Sequence, residues 1–151
     1  MITKKSPLIL DSFNILNSKC EIIHSDDSSI DLLENTKSMP VDIDFSIASN
    51  EDDSILVFTK VEINNADNPL PGYSIFAEGV GLFHFEASLT EDEKKQLVNS
   101  SINICITNLR SYINTITSFY ILGRYSFHAV DMPALLKSKA DSINRDVNTD
   151  K

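Results

Sequence analysis

With 151 residues, 42% of them hydrophobic and 23% charged, the chain has the make-up of one ordinary soluble globular domain. Acidic residues outnumber basic ones 22 to 13, for a net charge of −9. That balance argues against nucleic acid and anionic membranes as partners, which need a basic stripe, and suits a basic protein partner.

The N-terminal segment holds two lysines and a short apolar patch that Asp11 cuts before a signal core can form. No apolar run approaches the roughly eighteen residues of a membrane span, so a cytoplasmic location is expected. Residues 8–23, LILDSFNILNSKCEII, mix strand formers with polar breaks and predict a first, bulged strand. Residues 24–40, HSDDSSIDLLENTKSMP, read as a long polar connection anchored by Ile30, Leu32 and Leu33. VDIDFSIAS then alternates cleanly: Val41, Ile43, Phe45 and Ile47 point one way, Asp42, Asp44 and Ser46 the other. NEDDS at 50–54 is a hairpin turn. In SILVFTKVEIN, Ile55, Val57, Val61 and Ile63 share one face, with Leu56 and Phe58 opposite. A second turn, NADNPLPG, leads into the longest strand.

That strand places Tyr73, Ile75, Ala77, Gly79, Gly81, Phe83 and Phe85 on one face, and Phe76, Val80 and Leu82 on the other. A sheet apolar on both faces must be covered on both, by helices, a partner subunit or a ligand. Gly79 and Gly81 mark a bulge, a bend or a close backbone approach. The helix that follows opens with a capping box, Thr90 and Glu93. Its apolar stripe runs through Val98, Ile102, Cys105, Leu109, Tyr112, Ile116 and Tyr120, widened by Ile104, Ile106 and Ile113. Asn and Ser at 99–101 and 103 are weak helix formers, where the helix would bend or split. An irregular stretch, YILGRYSFHAVDMP, precedes a short helix with Asp131 as N-cap and Pro133 in its first turn. The fold class is therefore α+β: a four-stranded antiparallel meander, a long helix and a short C-terminal helix. One domain covers 1–137, and 138–151 is expected to be a polar, disordered tail.

Catalytic signatures are missing. His24, His84 and His128 are far apart, Cys20 and Cys105 have no metal spacing, and no phosphate loop or nucleophile motif occurs. Asp42 and Asp44 are explained by an exposed strand face, and Arg110 by a snorkelling surface position or an interface ion pair. No enzyme activity, metal or cofactor is expected, which moves the weight to binding.

Three stretches carry a resemblance to the SecB family of export chaperones. MPVDIDFSIAS with ILVFTKVEI resembles the second and third strands of that family. IFAEGVGLFHF resembles its glycine-interrupted fourth strand, and ITNLRSYINTIT followed by VDMPALL resembles its two helices. The resemblance implies an ATP-independent holdase that binds unfolded or pre-secretory polypeptides in apolar grooves and assembles as a dimer of dimers. It also implies docking to the Sec motor at Glu78, where Asp42 and Asp44 would add charge. Some SecB-like proteins serve a toxin–antitoxin pair instead, and an oligomeric adaptor or a small-ligand binder on the same fold are the other readings. Candidate client-binding residues are Phe58, Phe76, Leu82 and Tyr120, while Arg110, Ile106 and Ile113 are candidates for the oligomer interface.

Overall fold

The computed structural model describes residues 5–49, 53–86 and 89–149. In chain order the elements are β1 (Leu8–Ile23), α1 (Leu32–Lys37), β2 (Val41–Ser49), β3 (Ser54–Ile63), β4 (Gly72–Phe85), α2 (Glu91–Thr117) and α3 (Met132–Thr149). The turn expected at 50–54 falls largely outside the described residues.

All strand pairs are antiparallel, but the sheet order is β1-β4-β3-β2. Only β2, β3 and β4 form a meander. The 24–40 connection carries the chain from one sheet edge to the other, so β1 pairs along β4 and not beside β2. Register shifts between Leu10 and Ser12 and between Ile15 and Asn17 interrupt β1. Each shift reverses which parity of residue faces inward. Leu8, then Phe13 and Ile15, then Cys20 and Ile22 all thereby pack on the core. A simple two-residue period cannot reveal this.

α2 lies across the inward face of the sheet. Ile102, Cys105, Ile106, Leu109 and Ile113 meet Val57, Val61, Ile63, Tyr73, Ile75, Ala77 and Phe83 in a single core. The two strand glycines provide close approach, while the bulges fall on β1. A Cβ on Gly79 would lie 2.6 Å from the Phe13 ring, and one on Gly81 would lie 2.6 Å from Cys105 Sγ. The helix is continuous. Its serines turn inward on their own backbone, Ser101 Oγ donating to the Val98 carbonyl at 2.6 Å, and packing overrides weak propensity.

Three expectations need correction. The connection contains a helix, α1, capped by Asp31, whose carboxylate accepts from the Leu33 and Glu34 amides at 3.0 Å each. Its fully buried Thr36 accepts from the Tyr73 amide at 2.6 Å, tying α1 to the start of β4. The segment expected to be a disordered tail from residue 138 is helical as far as Thr149. Finally, Ile106 and Ile113 are not interface residues: both are 0% exposed within the chain's own core. Ile113 and Thr117 take the fully buried positions, with Tyr112 packed at the edge of the core and Ile116 half-buried.

Ile113→Asp should therefore prevent folding, because an uncompensated buried carboxylate costs several kcal/mol, comparable to the roughly 5–15 kcal/mol stability of a domain. Circular dichroism and denaturant titration should show no cooperative transition. A folded variant of lower mass would return Ile113 to an interface.

Candidate functional site

The outward face of the sheet has no match for α2. On β3 and β4 the even-numbered residues point away from the helix, and Leu56, Phe58, Phe76, Val80 and Leu82 stay half-exposed there. Register sets them side by side: Leu56 opposite Leu82, Phe58 opposite Val80. Phe58, Phe76 and Leu82 thus share one face, as expected, and Leu56 and Val80 join them. Tyr120 does not. It lies on the helix side, its ring centroid 6.1 Å from that of Tyr73 and its hydroxyl donating to the Cys20 carbonyl at 2.9 Å.

Charge crosses this face as a row. Asp44 stands opposite Lys60, and Lys60 opposite Glu78. Lys60 Nζ bonds to Glu62 at 2.9 Å. A shallow depression of about 230 Å³ opens between Phe58, Lys60, Glu78 and Asp44. It shares Asp44, Phe45 and Lys60 with a second of about 380 Å³, where β2 meets α3. That one shares Asp42, Ile43, Leu135 and Ser138 with a third of about 360 Å³, walled by Val41, Phe127 and Val130. The three form one path from the outer face around the β2 edge.

Two cations shape the path. Lys139 of α3 bonds to Asp44 at 2.6 Å and sits 5.8 Å from the Phe45 ring centre. Burial pushes the Asp44 carboxyl up, but the Lys139 bond, the Phe45 amide at 2.8 Å and the nearby lysine charges outweigh it and hold the group below its ordinary value. A depressed carboxylate contributes stability above its unfolded value and loses it as pH falls through the folded one. The second cation, Arg110, donates to the His128 carbonyl at 2.9 Å and stacks 4.9 Å over Phe127. It pins the 125–130 segment on α2 within the same chain, where Tyr125 and Phe127 are buried. Neither aromatic stood out in a stretch with no periodicity.

The α2–α3 connection also opens on an apolar knuckle, Phe119 and Ile121, 85% and 89% exposed. Tyr120 between them turns inward, and Gly123, at φ +78°, accepts the Tyr73 hydroxyl at 2.6 Å.

Little here suits bond-making chemistry. His84 Nδ1 and Asp11 Oδ2 are 2.7 Å apart at the surface. Among the described residues no group of three or more His, Cys, Asp or Glu gathers as a metal site, and no helix is long and apolar enough to cross a membrane. Burial pushes the Cys105 thiol up to about 12 and raises Cys20 as well.

No protein-family model and no curated protein sequence matches the chain. A solved structure does: a SecB-like chaperone of Mycobacterium tuberculosis in complex with a peptide from an antitoxin. It aligns over 83% of this chain and 91% of that one at 13% identity, with a TM-score of 0.52. A Streptococcus agalactiae protein of unknown function aligns over 81% and 97% at 10% identity, with a TM-score of 0.44. The fold is thus SecB-like: a four-stranded antiparallel sheet, a long helix and a C-terminal helix.

Thiols so raised are poor nucleophiles. In the folded protein at pH 8, iodoacetamide should label Cys20 slowly and Cys105 only once denaturant is added, as mass spectrometry would read. Rapid labelling of Cys105 without denaturant would contradict its burial.

Proposed function

We propose that the chain is an ATP-independent chaperone that holds non-native polypeptides along the path from the outer sheet face to the β2 edge. The observation that carries this reading is the continuity of that path. Leu56, Phe58, Val80 and Leu82 give apolar contact without demanding a sequence, and the half-buried charges of Lys60 and Glu78 leave room for polar side chains. A shallow, open surface of this kind suits an extended chain better than a small molecule, which needs an enclosed pocket with converging polar groups. The SecB-like fold and the peptide held by the Mycobacterium tuberculosis neighbour support the same reading.

An antitoxin-type client is favoured over export. Of the carboxylates proposed to dock a Sec motor, Asp44 is bonded to Lys139, and Asp42 and Glu78 lie near Lys60, whose own ion pair is with Glu62. A basic docking segment would meet Lys60 and Lys139 among these acids, and exposed pairs are individually weak.

The chain also fits a homo-oligomer, with α2 as the contact. Between Gln96 and Gly123 the only charged residue is Arg110, and the outward positions Asn103, Thr107, Ser111 and Thr115 are exposed, polar and uncharged. A second copy packed there buries no unpaired charge. This outward row replaces Ile106 and Ile113 as the proposed interface.

Phe58→Ser and Leu82→Ser should each weaken binding of an unfolded client about tenfold, because a half-buried large side chain is worth roughly 1.4 kcal/mol. Light scattering of a slowly folding client should show correspondingly poorer suppression of aggregation at equimolar chaperone, with unfolding midpoints unchanged. Full activity in both variants would move the binding surface elsewhere.

A further inference from the structure

Register fixes how far the apolar patch on the outward sheet face extends. Leu82 stands opposite Leu56 and Val80 opposite Phe58, so β4 and β3 contribute two consecutive apolar rows. The next row in each direction is polar. At one end His84 faces Ser54, and its Nδ1 lies 2.7 Å from Asp11 Oδ2. At the other end Glu78 faces Lys60, whose Nζ is 2.9 Å from Glu62. The patch is bounded sideways as well. β1 sets Ser12 beside Leu82 and Asn14 beside Val80, while β2 sets Ala48 beside Leu56 and Ser46 beside Phe58, all four exposed. The result is an apolar window two rows high and two strands wide, with Phe76 separated from it by the charged row.

A window of this size responds to spacing. Rows repeat about every 6.8 Å along the strands, twice the rise per residue, and so do alternate side chains of an extended chain. Across the sheet the strands repeat only about every 4.8 Å, a step that alternate side chains do not match. An extended segment aligned with β3 and β4, as strands packed face to face are, seats its residues i and i+2 in the window. Residues i−2 and i+4 then fall on the polar rows. An apolar side chain there would take water from His84, Lys60 or Glu78 and return no hydrogen bond. A helix, about 10–12 Å wide, would press on the polar columns at either side.

We propose that the window selects extended segments with two apolar residues at i and i+2, framed by polar residues at i−2 and i+4, and that Glu78 sets the limit at its end of the window. The proposal rests on the chain-binding reading and names the class of segment taken. Glu78 is the residue to change, because the ion pair of Lys60 is with Glu62 and stays in place without it.

The test uses the full chain, its Glu78→Leu variant and four fluorescein-labelled peptides of equal length in one Ser- and Gln-rich background. Three carry two leucines, spaced at alternate positions, side by side, or four residues apart. The fourth carries three leucines at alternate positions. Affinities are read by fluorescence anisotropy, and folding of the variant by its denaturation midpoint. The wild type should bind the alternate pair about fivefold tighter than the other two pairs, and a third leucine should add less than about twofold. In Glu78→Leu the window gains a row, so the three-leucine peptide should tighten about tenfold, while the alternate pair changes by no more than about twofold. Equal affinity of the wild type for the three pairs would overturn the window and leave the chain-binding reading standing. So would a gain with every added leucine, or a Glu78→Leu variant that tightens all four peptides alike. A wild type that binds none of the peptides and no unfolded protein would overturn the chain-binding reading, and the window with it.

Discussion

One helix layer cannot cover a sheet that is apolar on two faces. The longest helix, α2, covers one of the two, and much of the structure follows from where it is placed. α2 takes the inward face, where the fully buried Val57, Val61, Ile75 and Phe83 need a partner most, and Gly79 and Gly81 are flat enough to let Phe13 and the helix lie close. The outward face is left with large side chains at half exposure. Ordinary folding would select against such a surface, because it contributes little to stability and invites aggregation. Its retention in a chain with a net charge of −9 points to a surface that is used, with charge keeping the molecule apart from its own copies elsewhere.

The far end of the molecule is organised by polar groups with full partners. Tyr73, at the start of β4, donates its hydroxyl to the Gly123 carbonyl and its amide to Thr36. Thr117, the last residue of α2, accepts from the Tyr125 amide at 2.9 Å and donates to the Ile113 carbonyl at 2.7 Å. These bonds join α1, β4, α2 and the connection to α3, so the irregular segment is anchored at Gly123 and Tyr125. Arg110 adds the cation over Phe127. The pinned 125–130 segment forms one wall of the path along β2, and α3 forms the other.

Much of this fold was legible in the residues. Alternation in β2, β3 and β4 assigned both faces correctly, because β3 and β4 obey the two-residue period without a break. The capping box at Thr90 and Glu93 and the Asp131 cap started α2 and α3 where the structure has them. What failed did so for physical reasons. The polar breaks of β1 predict that it is bulged, but a fixed period does not say where the two shifts fall, and strand order depends on a crossover whose length alone does not say which edge it reaches. α1 is too short to show periodicity, although Asp31 followed by Glu34 carries the N-cap signal. In the sequence Ile106 and Ile113 widen the apolar stripe, whereas the 3.6-residue turn of the helix puts them at its buried centre. The outward apolar face was legible as a set, and Tyr120 was misplaced with it because its position beyond the end of α2 has no period to follow.

The central claim is that the outward face of the sheet, and not the outward side of α2, receives the client. Site-specific photo-crosslinking decides it most directly. A benzoylphenylalanine is placed at Phe58 on the sheet and, separately, at Thr107 on the helix, and each protein is irradiated with an unfolded, labelled client. The account predicts client adducts from position 58 and, from position 107, only crosslinks between copies of this chain. Client adducts from position 107 with none from position 58 would contradict it.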